Sequence, residues 1–281
     1  MPAWKINEIP AMCISLKRRE DRWTKFRGQP AARDLPNLQR HEATDGKTLD
    51  IATDKRILLS TKRNILKKKR RSHEELDSPG GVGCALSHIA IWQLMVQRQI
   101  PTLLVIEDDA ALPNDFVTQA NSVIGKSPTL QDPASWDLWI LATKPQDEIP
   151  IQGDTVAKEV THFVGAISYV ITLRGATTLL ENAFPIHCHI DIYMGILRQI
   201  RPMRYVVTPE FKFYQLGVDT SDIIERGGCR ICDVPTDFDK THALISKTVL
   251  NNLESIKTVF VLSIAFGAGY IIYKRIGGKA V

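Results

Sequence analysis

The apolar positions of this chain follow two rhythms that alternate along most of its length. Short runs at 11–16, 103–106, 136–141, 167–172 and 203–207 predict strands. Between them, SHIAIWQLMV at 87–96 sets Ile89, Trp92 and Val96 on one helical face, and 174–182 reads as another helix. The segment KRREDRWTKF, after Leu16, opens a third helix whose first amides are placed to face a phosphate. The run at 102–106 is continuous rather than alternating, as in a central strand covered on both faces. This order predicts an α/β layered domain with a mainly parallel central sheet.

That central run breaks directly into Glu107-Asp108-Asp109. Three successive carboxylates at a half-buried strand end repel one another, and a cation relieves the repulsion. In open α/β sheets, ligands bind off the carboxyl ends of the strands, where this triplet projects. The residues therefore predict a hard divalent ion held by carboxylate oxygens and shared with a phosphate-bearing ligand. An acidic loop capping the following turn is the ordinary alternative.

The flanks of the triplet make the pattern specific. Cys13-Ile14-Ser15-Leu16 with its basic tail KRREDR, Ala43-Thr44-Asp45-Gly46, GGVGCALSH at 80–88 and IEDDA at 106–110 occur in that order. HFVGAISYVIT at 162–172, HIDIYM around Asp191, and Gln215 with Ser221-Asp222-Ile223 follow. Over roughly residues 9–225 the chain resembles the family 25 glycosyltransferases, which include lipooligosaccharide and collagen galactosyltransferases and have relatives in large DNA viruses. Ser15 stands where that family usually has Asn, and Lys17 where an acidic residue is usual.

The resemblance implies a GT-A type nucleotide-sugar fold. It also implies transfer of a hexose, galactose or glucose, from a UDP-sugar to a hydroxyl on a glycan, glycolipid or protein acceptor, with inversion. Glu107 and Asp109 match the outer acids of the family's metal motif, which implies Mn2+, although oxygen ligands alone also admit Mg2+. Asp108, between them, is turned to the ribose or to the core. Donor binding falls to Ser15, Leu16, Arg18, Arg22, Asp45, Gly46, Ser87 and His88, with the two arginines on the diphosphate. His88 either contacts the donor through its ring or is a buried, hydrogen-bonded histidine. Asp191 matches the family's downstream acid and is the candidate base for the acceptor hydroxyl; a helix N-cap is its ordinary reading. Two other classes use the same residues: a non-catalytic sugar- or lipid-binding relative, and a metal-dependent phosphoesterase.

Composition adds appendages to this picture. The 281 residues, 44% of them hydrophobic, suffice for a catalytic domain over 1–250. The net charge of +5 conceals nine Lys or Arg and no acid within residues 55–71, which leaves −4 for the rest. There Ile57, Leu58, Thr61, Ile65 and Leu66 recur at one-turn spacing, opposite Lys62, Arg63, Lys67 and Arg70. This 55–72 insertion is either solvated or a contact for anionic membrane lipid, and its lack of aromatic residues argues against nucleic acid.

Residues 258–273 carry no charge and would cover about 24 Å as a helix, against a hydrocarbon core of about 30 Å. A C-terminal apolar helix over 256–275, membrane-spanning or membrane-associated, is expected, with Ala265 and Gly269 admitting a homodimer through small faces. With no apolar signal region at the start, the expectation is a tail anchor with the catalytic domain cytosolic, in host cytoplasm or on a virion membrane for a viral member. Five cysteines suit a reducing compartment. Cys229 and Cys232, with His187-Cys188-His189, leave a structural zinc open beside plain surface thiols.

Overall fold

A computed structural model of the chain describes residues 4–68, 72, 74–211 and 214–215, all within a unit running from residue 1 to 227. In chain order the elements are β1 (Ala11–Ser15), α1 (Glu20–Gly28), α2 (Pro30–Arg33), β2 (Leu38–Glu42), α3 (Leu59–Lys67), α4 (Pro79–Arg98), β3 (Thr102–Glu107) and β4 (Ala110–Ala111). Then follow α5 (Phe116–Lys126), α6 (Pro128–Gln131), β5 (Leu138–Ile151), β6 (Asp154–Thr172), α7 (Leu173–Leu180), α8 (Ile190–Ile200), β7 (Tyr205–Val207) and β8 (Tyr214–Gln215).

The main sheet has the order β2-β1-β3-β6-β5-β7. Side-chain alternation divides its core in two. Met12, Ile14, Leu103 and Val105 face one cluster with α4, α7 and α8, whereas Cys13, Leu104 and Ile106 face another with α1, α2 and α5. Both faces are therefore covered, which is why β3 tolerates an uninterrupted apolar run. Helix α4 starts on Ser78, whose side chain accepts a hydrogen bond from Gly81 N, with Pro79 at the first helical position. Among the described residues α4 is the one helix long and apolar enough to cross a membrane, but Val82, Ile91, Trp92 and Met95 are fully buried, so it is the core helix of this domain.

Three of the five neighbouring strand pairs are parallel. The exceptions come from β6, which lies antiparallel to both β3 and β5. β5 and β6 are joined by residues 152–153 alone, and a two-residue connection permits only antiparallel pairing. The expected strands at 136–141 and 167–172 are the bases of this long hairpin. Gly80 and Gly81 of the GGVGCALSH motif lie in the first turn of α4. In the basic segment, helix α3 buries Thr61, Asn64 and Ile65, and Ile57 before it is buried too, but Leu58 and Leu66 are exposed, contrary to the expected apolar seam. The expected apolar helix at 256–275 and the Cys229–Cys232 pair lie outside the described residues.

Asp154 closes the far end of the hairpin. Its Oδ2 accepts from Ser127 Oγ at 2.5 Å and Thr129 N at 3.0 Å, and its Oδ1 from Val156 N and Ala157 N at 2.9 Å. Burial pushes the other way, but these four donors hold its carboxyl down at about 2. A depressed carboxyl contributes stability above its unfolded value near 4 and loses it as pH falls through the folded value. Asp154→Asn is therefore expected to remove about 2 kcal/mol at neutral pH and to flatten the acid limb of the stability curve between about pH 4 and 2. Urea unfolding across that pH range measures both.

Candidate active site

β3 delivers Glu107 to the carboxyl edge of the sheet, and the chain turns there through Asp108 and Asp109 into β4. Asp108 N donates to Ile14 O, so the triplet is fixed against the end of β1. β4 pairs with β8, placing Gln215 opposite Ala110 beside the triplet. The three carboxylates line an open cleft at the carboxyl edge of the sheet. Its other walls are the loop after β1 (Leu16, Arg18), Arg22 of α1, residues 43–47 after β2, and Gly80, Cys84 and Ser87 of α4.

Two glycines let these walls close up. A Cβ at Gly46 would lie 1.9 Å from Pro79 O, and one at Gly83 would lie 2.5 Å from Thr44 O. The 43–46 loop thus rests backbone on backbone against the first turns of α4. Ser87 fastens it, with Oγ accepting from Thr44 N at 2.9 Å and donating to Gly83 O at 2.7 Å. Ser87, an expected donor contact, spends its hydroxyl on this joint. Asp45 accepts from Arg18 Nε at 2.6 Å and from Lys47 N at 3.0 Å. Against the opposing effect of burial, Arg18 and the Lys47 amide hold its carboxyl below the usual range.

The acids of the triplet have different surroundings. Arg22 bridges Asp108 and Asp109, with 3.1 Å to Asp109 Oδ2. Burial pushes the Asp108 carboxyl up, opposed by that same guanidinium. Glu107 points to α4 instead, where His88 Nε2 lies 3.1 Å and Cys84 Sγ 3.8 Å from its Oε1. His88 is fully buried and stacks on Tyr169. Trp92 Nε1 donates to Tyr169 Oη at 3.0 Å, and Tyr169 Oη lies 2.9 Å from His88 Nδ1; on the other side of the ring the Glu107 carboxylate can only accept. His88 Nε2 then carries the ring hydrogen and donates to Glu107. His88 therefore reaches the cleft through Glu107 rather than by touching a ligand. Trp92 and Tyr169 are the supports that sequence reasoning missed as part of the site; both read as core aromatics.

Among the expected site residues, Leu16, Arg18, Arg22, Asp45, Gly46, Ser87, Glu107, Asp108 and Asp109 come together around the cleft. Ser15 does not line it; strand alternation turns Ile14 and Leu16 to the cleft and buries Ser15. Asp191 also lies outside the lining. It sits in the first turn of α8, one turn position past Ile190, while the N-cap itself is His189. Its Oδ2 accepts from Gly165 N at 2.7 Å and its Oδ1 from Ile192 N at 2.9 Å. Gly165 has φ +90, and a glycine inside a strand pattern was the available signal for this contact.

Cys84, another lining residue not foreseen, stands between the two acids. Burial pushes its thiol well up, and Glu107 and Asp191 add to the shift. Cys84, His88 and Glu107 hold ligand atoms within 4.8 Å of one another, but a protonated thiol and a donated imidazole hydrogen already occupy that arrangement. A hard ion fits better on the cleft side, where three carboxylates meet and Arg22 bridges two of them. Burial likewise pushes the Cys188 thiol up to about 12 within the core.

Comparisons with known proteins give the family. Residues 9–194 match the family model of glycosyltransferase family 25 (LPS biosynthesis protein). A glycosyltransferase 25 family member of Anopheles gambiae is 29% identical over 72% of this chain and 34% of its own length. Human procollagen galactosyltransferase 2 is 24% identical over 83% of this chain and 40% of its own. Mouse inactive glycosyltransferase 25 family member 3 is 31% identical over 38% of this chain and 18% of its own. The chain thus spans no more than about two-fifths of the curated relatives it matches. The solved structure of mouse xyloside xylosyltransferase 1 overlaps 70% of this chain at 10% identity with a TM-score of 0.34, an overlap that carries no argument.

Proposed function

This chain belongs to glycosyltransferase family 25, and we propose that it moves a hexose, galactose or glucose, from a UDP-sugar to a hydroxyl of a glycan, glycolipid or protein acceptor, inverting the sugar centre. The observation that carries this reading is the cleft itself: three carboxylates at the end of β3, two of them bridged by Arg22, share an open cleft with Arg18 and the close-packed 43–47 loop. Glu107 and Asp109 would hold Mn2+ or Mg2+, which supplies Lewis-acid stabilisation of the leaving diphosphate when bound.

The protein groups have separate tasks. The relay from Trp92 through Tyr169 and His88 fixes the Glu107 carboxylate from behind. Arg22 screens Asp108 from Asp109, and Arg18, held by Asp45 in the cleft lining, is available to a diphosphate. Asp191, oriented by the amides of Gly165 and Ile192, keeps lone pairs with which to accept the acceptor's proton. Asp191→Asn should keep UDP-sugar affinity and lose turnover by about 10²-fold or more, because the amide keeps the shape but cannot take the proton. Single-turnover kinetics beside donor titration read the two effects separately. Weakened donor binding with normal turnover at saturation would place Asp191 at the nucleotide instead.

One observation favours a second reading, a non-catalytic relative: Arg22 already serves as an internal cation for Asp108 and Asp109. Donor hydrolysis with added Mn2+ decides between them, since only the enzyme shows metal-dependent release of UDP.

A further inference from the structure

The exposed face of α3 carries large apolar side chains between cations. At about 100° per residue, Leu66 and Leu59 fall on one line of this helix, with Arg63 and Lys67 on one flank and Lys62 on the other. Leu59 is 78% exposed, Leu66 63% and the adjacent Leu58 38%. The opposite face is firmly held. Leu58 N donates to Ile186 O at 2.9 Å, Thr61 Oγ1 to His187 O at 3.3 Å, and Asn64 Nδ2 to Glu75 Oε2 at 3.0 Å. The leucines cannot turn inward without undoing these bonds, so their exposure is a fixed property of the helix.

We infer that this face docks on an anionic phospholipid bilayer, with Leu59 and Leu66 at the acyl boundary and the flanking cations among the headgroups. A central apolar line between basic side chains is the arrangement of an interfacial helix, in which long cationic stems lie along the surface with their charges outward. Charge complementarity names the partner. Residues 55–71 contain nine basic side chains and no acid, and of the described ones Lys55, Arg56, Arg63, Lys67 and Lys68 are exposed, Arg56 paired with Asp54. Single-stranded nucleic acid fits the charge but not the leucines, and no aromatic side chain on this face offers a base a stacking surface. The docking itself rests on α3 alone and survives a failure of the transfer reading.

The test is vesicle co-sedimentation of the full chain, comparing phosphatidylcholine alone with phosphatidylcholine containing about 30 mol% phosphatidylserine. The ratio of the two affinities isolates the charged face from any apolar attachment elsewhere in the chain. Wild type is expected to prefer the anionic vesicles by about tenfold or more, and to lose that preference at about 1 M salt. Arg63→Ala/Lys67→Ala should bring the ratio close to one, and Leu59→Ser/Leu66→Ser should weaken binding to anionic vesicles severalfold, both with unchanged thermal unfolding because the side chains are exposed. Equal binding of wild type to both vesicles overturns the proposal. So does an undiminished preference in the Arg63/Lys67 variant, or loss in that variant of single-stranded RNA binding with vesicle preference intact.

Discussion

Glu107→Gln is expected to lower kcat/KM for sugar transfer by about 10³-fold or more while leaving the fold standing. The amide oxygen can still accept the hydrogen from His88 Nε2, so the relay behind it keeps its packing. What goes is a full negative charge on the cleft side, and with it one ligand of the divalent ion. Asp109→Asn should act similarly on metal affinity, with the Arg22 guanidinium left to Asp108. Mn2+ titration by calorimetry, run beside the kinetics and a thermal melt, separates a lost ligand from a lost fold. Normal turnover with normal Mn2+ affinity in Glu107→Gln would remove Glu107 from the metal site.

Gly46→Ala is expected to have the largest effect on stability of any small substitution in the cleft wall. The added methyl would lie 1.9 Å from Pro79 O, 2.3 Å from Pro79 C and 2.7 Å from Gly80 N, all backbone atoms that cannot rotate away. Either the 43–47 loop or the first turn of α4 must move, and overpacking of this kind costs about 3 kcal/mol or more. For a domain of this size that lowers Tm by about 6–12 °C. The loss should extend to donor binding, because Asp45 and its partner Arg18 ride on the displaced loop. Gly28→Ala, where a Cβ meets nothing within 4 Å, serves as the control and should leave both Tm and binding unchanged.

The parts of this fold that were legible in the sequence are those governed by neighbours in the chain. The run at 102–106 announced a strand covered on both faces, and the two clusters across β3 bear that out. The order of motifs identified the family. The hairpin of β5 and β6 was illegible beyond its bases, because KPQDEIP and GDTVAKEVTH carry prolines and charges that break the alternation of a half-buried strand. Its consequence for the sheet, an antiparallel strand in the middle, was equally hidden. In α3 the one-turn spacing was right, but spacing does not tell which apolar side chains the neighbouring 186–188 segment can cover.

At the site, the triplet and the loops around it could be read from residue type and position. Its internal division could not. That Arg22 faces Asp108 and Asp109 depends on α1 starting beside β3 through β1, and that Glu107 turns to α4 depends on a buried histidine eighty-one residues from the tyrosine that orients it. Neither contact is local, so no spacing rule signals it. Ser15 shows the converse case: its place in the motif suggested a ligand contact, and the alternation of β1 turned it to the interior.

Calorimetric titration of UDP into the chain, once with Mn2+ and once with excess chelator, bears most directly on the role of the triplet. Affinity in Mn2+ at least about tenfold above that in chelator, with the difference abolished in Glu107→Gln, is the expected result. UDP binding of equal strength in chelator, or no UDP binding under either condition, would contradict a metal-assisted nucleotide-sugar site at the end of β3.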